Sequence, residues 1–401
     1  MRKSWLAVCI TNFLIAAVMG LLLRYTMVIP IPIEFRYFIH AHSHIAMLGW
    51  VYLMIYCFFV YQFVPESESK KYNKLFWATQ VSVIGMMISF PIQGYGLFSI
   101  VFSTLHIVLS YVFSYRIWKD THSVSEIPRS LLRTALGFMV VSTMGAWSLG
   151  ILANIAGKLS PFYKSAIQFF LHFQFNGWFV FAVLAIFFAM LLNAKVVVDA
   201  RRFRFFYHLL LYSVILTWAL PLSWFFPDAF LFYINLAGLV LQVGALGMFL
   251  ALLLPNWKKL SECFPNASKN LLLLSLFSFV LKIGFQLATA LPAVATASYK
   301  VRNLTIGFIH LSALGLITGF LFYFVAASNF LGRERGYWKW GTLVFYCGFL
   351  LTEILLFLQG AMTFMKFGTV DNLTVYLLAA TALLPAGLLM MLLQVVRKHL
   401  N

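Results

Sequence analysis

Six of the nine histidines lie inside apolar segments of the chain, where each imidazole needs a partner for its ring nitrogens. A metal ion is one such partner, because imidazole is the commonest side-chain ligand of metals. Three of the six are followed by glycine in the same pattern, His-x4-Gly. These pairs are His44 with Gly49, His172 with Gly177, and His310 with Gly315. The repetition favours a bound iron cofactor over three unrelated buried histidines.

The glycine in this pattern follows the histidine by just over one helical turn. A residue without a side chain leaves a flat gap in the helix surface, against which a porphyrin could lie. We therefore expect Gly49 and Gly315 to contact the cofactor. The alternative is helix packing, since glycine is common where membrane helices touch, and a single His-x4-Gly would mean little.

The other histidines in the apolar segments have different expected roles. In His40-Ala-His42-Ser-His44, residues 40 and 44 share one helix face and residue 42 points away. We expect His44 to bind the iron, and His40 either to bond a haem propionate or to replace His44 as the ligand. His106 lacks the glycine pattern and is expected to be a buried histidine bonded to a neighbouring helix.

The composition places these histidines in a membrane. Of 401 residues, 62% are hydrophobic and 10% are charged, which is more apolar surface than a soluble domain of this size could bury. The chain is predicted to be an all-α integral membrane protein, with residues 1–401 as a single polytopic domain. Twelve apolar runs predict transmembrane helices: Trp5–Val28, Tyr37–Phe63, Leu75–Phe90, Gly94–Ile117, Leu131–Ala153, Ser165–Leu192, Phe205–Phe226, Ala229–Leu254, Leu271–Leu291, Leu304–Ala327, Trp338–Phe364 and Thr374–Val396.

The cations predict how the helices are oriented. One set of loops carries 21 of the 29 Lys and Arg residues, the opposite set carries seven, and Lys282 lies within a helix. Both termini are therefore expected in the cytoplasm, with the first apolar run a membrane helix rather than a cleaved signal. The net charge of +18 then reflects topology and contact with anionic lipid in a bacterial inner membrane, not nucleic acid.

This orientation places the three patterned histidines together in depth. Each follows the start of an even-numbered helix that runs inward, so each imidazole is expected roughly 10 Å below the outer surface. The motifs also recur four helices apart, which predicts three pseudo-repeats of four helices.

At this level the chain resembles subunit I of the haem–copper oxidases, especially the cbb3-type oxidases and the nitric oxide reductases. The most specific match is Leu304-Thr-Ile-Gly-Phe-Ile-His310-Leu-Ser-Ala-Leu-Gly315, which is similar to the tenth helix of that family, with its pattern Ile-Gly-His-x-His-x3-Leu-Gly. The resemblance implies that His310 ligates a low-spin haem, with His44 of the second helix as the opposite ligand.

Other positions depart from the family pattern. Phe308 stands where the resemblance places the ligand of the high-spin haem. The motif Trp218-Ala219-Leu220-Pro221 is followed by Leu222 and Ser223 instead of the two copper-binding histidines. His172 remains as a candidate ligand of a second metal, while Asn176 replaces a tyrosine. The resemblance therefore implies an intact low-spin site and an incomplete dinuclear centre.

These observations lead to a specific functional expectation. We expect one low-spin haem b, no copper, and one-electron transfer, with quinol or a redox protein as a candidate partner. The absence of CxxCH excludes a c-type attachment. Two alternatives are an active oxidase or nitric oxide reductase with unusual ligands, and a non-redox role in haem handling, gas sensing or respiratory assembly.

Polar residues outside the histidine motifs have open interpretations. Lys282 and Glu353 lie near mid-membrane and could form an ion pair, belong to a remnant proton path, or be neutral. Four cations on the outer side could pair with haem propionates or anchor lipid headgroups: Arg36, Lys164, Lys300 and Arg302.

Overall fold

The structure is a computed structural model, and it describes residues 2–122, 124–263, 266–328, 330–331 and 336–397. These residues form helices and no strand. Twelve of the helices are long and apolar enough to cross a membrane, which confirms the prediction of an all-α membrane protein. They are α1 (Lys3–Tyr25), α2 (Phe35–Phe63), α3 (Lys71–Gln93), α4 (Leu97–Asp120), α5 (Glu126–Ile155), α6 (Pro161–Asn193), α7 (Ala200–Ser223), α8 (Ala229–Leu253), α9 (Asn266–Ala288), α10 (Arg302–Ala327), α11 (Gly336–Met365) and α12 (Leu373–Arg397).

Several helices begin at polar residues just outside the apolar runs. The Ser160 hydroxyl accepts a hydrogen bond from the Tyr163 N–H at 3.2 Å, and Pro161 occupies the first position of α6. Asp199 caps α7 by accepting from the Arg202 N–H at 2.9 Å. That hydrogen bond lowers the pKa of the Asp199 carboxyl below its usual value. The caps satisfy backbone donors that have no partner within the helix.

The helices assemble into two compact units. The first contains the described residues before 123 and after 320, and the second those from 124 to 320. In the first unit, α11 and α12 approach closely at Gly341 and Gly387: a methyl group on Gly341 would lie 2.7 Å from the carbonyl oxygen of Gly387. In the second unit, a methyl group on Gly145 of α5 would lie 2.6 Å from the carbonyl oxygen of Ala166 of α6. Glycine permits this close approach of two backbones in a membrane protein.

The three helices that carry the His-x4-Gly motifs are the most buried. Each span contains an apolar stretch of 18 residues. The buried share of that stretch is 72% in α2, 83% in α6 and 72% in α10, whereas it ranges from 28% to 56% in the other nine spans. The nine less buried helices expose apolar faces, as expected for contact with lipid. The histidine motifs therefore lie in the membrane helices with the largest buried share.

The contact between α11 and α12 gives a stability prediction. Gly341→Ala should destabilise the protein by about 1–3 kcal/mol, because the added methyl group meets a backbone carbonyl that cannot rotate away. Thermal unfolding in detergent measures the effect. Gly137→Ala in α5 is the matched control, since the described residues leave open space around Gly137. Equal melting temperatures for the two variants would contradict the packing argument.

Candidate functional site

The backbone changes conformation directly after each patterned histidine. Helices α2, α6 and α10 switch from α to π geometry at the residues that follow His44, His172 and His310. The π segments are Ile45–Tyr52, Phe173–Phe179 and Leu311–Ile317, of 8, 7 and 7 residues. π-Helical segments are rare in proteins overall, and those that occur are often found at functional sites. The sequence repeat is thus accompanied by a repeat in backbone structure.

The three histidines also lie at similar distances from the starts of their helices. The α-helical part that ends at His44 has 10 residues, the part that ends at His172 has 12, and the part that ends at His310 has 9. At a rise of about 1.5 Å per residue, the three positions differ by no more than about 5 Å along their helices. Similar spacing from the helix starts is what the expected common depth requires.

His44 is held in one orientation by its own helix. Its Nδ1 lies 2.8 Å from the carbonyl oxygen of His40, so Nδ1 carries the proton and donates it to that carbonyl. In the neutral ring, Nε2 then has the lone pair. The ring packs against Phe90 and Tyr95, with centroid distances of 4.3 and 5.8 Å. A histidine prepared in this way can offer Nε2 to a metal.

His40 and His42 are also half-buried but have other neighbours. The His40 ring meets Tyr95 edge-on at 4.6 Å, and its carbonyl fixes the His44 ring. The Nδ1 atom of His42 lies 2.8 Å from the Ala16 carbonyl oxygen of α1. His42 therefore bonds to a neighbouring helix, and His40 positions His44.

His310 and Arg302 occupy the first part of α10. Arg302 is its first residue and is exposed, and His310 is half-buried just before the π segment. The two residues are eight positions apart, which corresponds to about 12 Å along the helix. Arg302 thus lies at the helix start, and Gly315 is buried within the π segment.

Side chains from other helices fill the surfaces of two motif glycines. A methyl group on Gly49 would lie 2.9 Å from Cγ1 of Val83 and 3.2 Å from Cβ of Asn12. On Gly177 it would lie 2.5 Å from the ring of Phe138. The surface of Gly49 that was expected to be open to a porphyrin is occupied by Asn12 and Val83. Gly49 therefore serves helix packing, which is the alternative that the sequence left open.

His172 bonds to a broken helix. Helix α7 is interrupted after Leu216 and resumes at Ala219–Ser223, the short segment that contains Pro221. The carbonyl of Val214 is therefore one of the last four carbonyls of the first helical segment, which have no partner within the helix. Nε2 of His172 donates to that carbonyl at 2.8 Å, and Nδ1 faces the amide nitrogen of Asn176 at 3.3 Å. Both ring nitrogens of His172 thus have protein partners, and neither is left for a second metal in this arrangement.

A buried lysine continues this polar chain. The ammonium group of Lys282, which is 2% exposed, donates to Oδ1 of Asn176 at 2.7 Å and to Oε1 of Gln286 at 2.6 Å. Gln242 donates to the same Gln286 oxygen at 3.0 Å. The Lys282 ammonium also lies 5.7 Å from the centre of the Phe308 ring, within range of a cation–π interaction. Amide oxygens and an aromatic face therefore compensate the cost of burying this lysine.

His106 differs from the bonded histidine that the sequence predicted. It is 2% exposed, and its Nε2 atom has no hydrogen-bond partner among the residues that the structure describes. The ring meets Tyr52 edge-on at 4.7 Å. His106 is the tenth residue of α4, just as His44 is the tenth of α2. These two histidines of the first unit thus hold matching positions along their helices.

The sequence reasoning missed one polar cluster in the first unit. The Asn12 amide donates to the Gly49 carbonyl at 2.9 Å and to Gln80 at 2.8 Å, and Gln80 donates back to Asn12 at 3.0 Å. The sequence could have indicated this cluster, because Asn12 and Gln80 are amide side chains within long apolar runs. The cluster ties the π segment of α2 to α1 and α3.

The fold and these side chains define an integral membrane protein in which the three most buried membrane helices each carry a histidine where α geometry changes to π geometry. Within the part of the chain that the structure describes, no three His, Cys, Asp or Glu side chains are grouped to hold a metal ion. No known family model matches the chain, and no characterised protein matches its sequence.

The polar chain around Lys282 gives a second stability prediction. Asn176→Leu should destabilise the protein by about 2–3 kcal/mol, because it removes a hydrogen bond to a buried ammonium group. Lys282→Met should cost less, since it removes the charge as well, and adding it to Asn176→Leu should restore part of the stability. The melting temperatures of the three variants in detergent measure this order. A double variant less stable than Asn176→Leu alone would show that Lys282 is not the group left unpaired.

Proposed function

We propose that this chain is a membrane cytochrome that binds one low-spin haem b through two histidines and transfers single electrons. The observation that carries the proposal is the fixed His44 ring, whose Nδ1 proton is bonded to the His40 carbonyl. Iron-ligating histidines commonly have this arrangement, because the backbone carbonyl fixes the tautomer and orients Nε2 toward the metal.

The second axial ligand has two candidates. The resemblance to the oxidases assigns it to His310, which lies nearly as far from its helix start as His44. The structure of the first unit favours His106, whose buried Nε2 atom has no described protein partner and which holds the same position in α4 as His44 does in α2. We take His310 as the leading assignment, because the motif around it is the most specific in the chain.

The chemistry expected of such a site is limited. A haem held by His44 and a second histidine would have no free ligand position, so it would supply one-electron transfer rather than activation of a gas. Within this chain, the His40 carbonyl would hold the ligand ring of His44, and Phe90 and Tyr95 would pack against that ring. His40 and Arg302 are the candidate partners of the propionates.

The Lys282 chain favours electron transfer over oxygen or nitric oxide reduction. His172, Asn176 and Phe308 occupy positions that the resemblance associates with the dinuclear centre. Here they are linked by the Lys282 ammonium, and both nitrogens of His172 are hydrogen-bonded. A cation held among these side chains would repel a copper ion, which supports the proposal over the active reductase.

A non-redox role is the remaining alternative, in haem handling, gas sensing or respiratory assembly. A non-redox protein would have the same haem site as the proposed cytochrome, but it would not exchange electrons with a redox partner. Quinol or a redox protein is the partner that electron transfer requires, and reduction of the bound haem by a quinol analogue would separate the two roles.

The haem proposal is tested by purifying the full chain and measuring its haem with the pyridine haemochrome assay, its metals, and its absorption spectrum. We expect about one haem b per chain and a low-spin spectrum. His44→Ala should abolish the Soret band, because it removes the fixed ligand. His172→Ala should retain the band, because both nitrogens of that ring already bond to protein.

The remaining variants identify the second ligand. Loss of the low-spin spectrum in His310→Ala and its retention in His106→Ala would support His310, and the reverse would assign the role to His106. Retention of a normal spectrum in His44→Ala would refute His44 as a ligand, and its loss in His40→Ala would then assign that role to His40. Two haems together with copper would support the reductase instead, and a correctly folded protein without haem would exclude a cytochrome.

A further inference from the structure

A cavity of about 660 Å³ lies between α3 and α4, at the membrane end where α3 begins and α4 ends. Its rim and its walls differ in chemistry. Four cations form the rim: Lys70, Lys71, Lys74 and Arg116. Four small or apolar residues form the walls: Leu75, Ala78, Leu109 and Val112. The cavity is therefore basic at its mouth and apolar further in.

Helical spacing arranges these residues in two matching rows. On α3, Leu75 and Ala78 follow Lys71 by four and seven residues. On α4, Val112 and Leu109 precede Arg116 by the same intervals, since α4 runs in the opposite direction. Seven residues span about 10 Å of helix, so the apolar rows extend about 10 Å from the cations toward the middle of the membrane.

The cations of the rim are not equally available. Lys71 is bonded to Glu68 at 2.7 Å and to Asp120 at 2.9 Å, so acidic neighbours compensate its charge. Arg116 is half-buried and donates to the backbone carbonyl of Lys71 at 3.1 Å, which holds its guanidinium group at the mouth. Lys70 and Lys74 are exposed. Three cations beyond the Lys71 ion pair thus surround an opening that leads to an apolar groove.

We propose that this cavity binds an anionic phospholipid, with the headgroup phosphate among Lys70, Lys74 and Arg116 and an acyl chain between α3 and α4. Basic pockets between membrane helices favour anionic headgroups, and each cation near such a headgroup is worth about fivefold in affinity. The charge at the mouth selects the headgroup. The apolar rows distinguish a lipid from a free anion, because a phosphate ion alone has no use for them.

The test uses the full-length protein, purified in detergent and delipidated, with bound lipid counted by native mass spectrometry. We expect retention of phosphatidylglycerol in preference to phosphatidylcholine. The triple variant Lys70→Gln/Lys74→Gln/Arg116→Gln should bind phosphatidylglycerol at least about tenfold more weakly. The matched control is Arg201→Gln/Arg204→Gln/Lys258→Gln, which removes three exposed cations elsewhere and should leave binding unchanged.

A second variant separates a lipid from a free anion. Ala78→Phe leaves the charge intact and places a ring in the groove, so it should weaken phosphatidylglycerol binding while the melting temperature stays near that of the unaltered protein. Equal retention of the two lipids would overturn the proposal, as would a triple variant that binds like its control. Displacement by inorganic phosphate, with no effect of Ala78→Phe, would show an anion site instead of a lipid site.

Discussion

A polar atom inside a membrane has to find its partner within the protein, and much of the interior follows from this requirement. Where α7 breaks, Nε2 of His172 donates to the buried carbonyl of Val214. Where α2 turns into a π segment, the amide of Asn12 reaches the carbonyl of Gly49. The histidine and the amide therefore have a structural role, because they complete the hydrogen bonding of helices that depart from regular geometry.

The same requirement makes the three patterned histidines unequal. They share a motif, a helix position and a change of helix type, yet His44 bonds to its own helix and His172 to another. The bond of His44 within its own helix uses only Nδ1 and leaves Nε2 for another partner. In His172, by contrast, both ring nitrogens are hydrogen-bonded to protein groups. Repeated sequence thus supplies equivalent positions, and the neighbouring helices decide which ring nitrogens are hydrogen-bonded.

The number and places of the membrane helices could be predicted, because the length of an apolar run determines whether it crosses a bilayer. The special status of α2, α6 and α10 could also be predicted from their histidines. The π segments could not, since no local residue preference announces them. Nor could the packing at Gly49, which depends on Asn12 and Val83 from two other helices. The partner of His172 was partly foreseeable, because Pro221 indicates a weakened α7, but its identity needs the tertiary structure.

The three π segments also affect how related chains should be compared with this one. A π turn contains one residue more than the α turn it replaces, so everything beyond it is rotated by about 100° around the helix axis. A relative that lacks the insertion would carry the same inward-facing residues one place earlier. Alignments of this chain should therefore allow a single-residue gap within Ile45–Tyr52, Phe173–Phe179 and Leu311–Ile317, and helical-wheel diagrams should be drawn separately on either side of each segment.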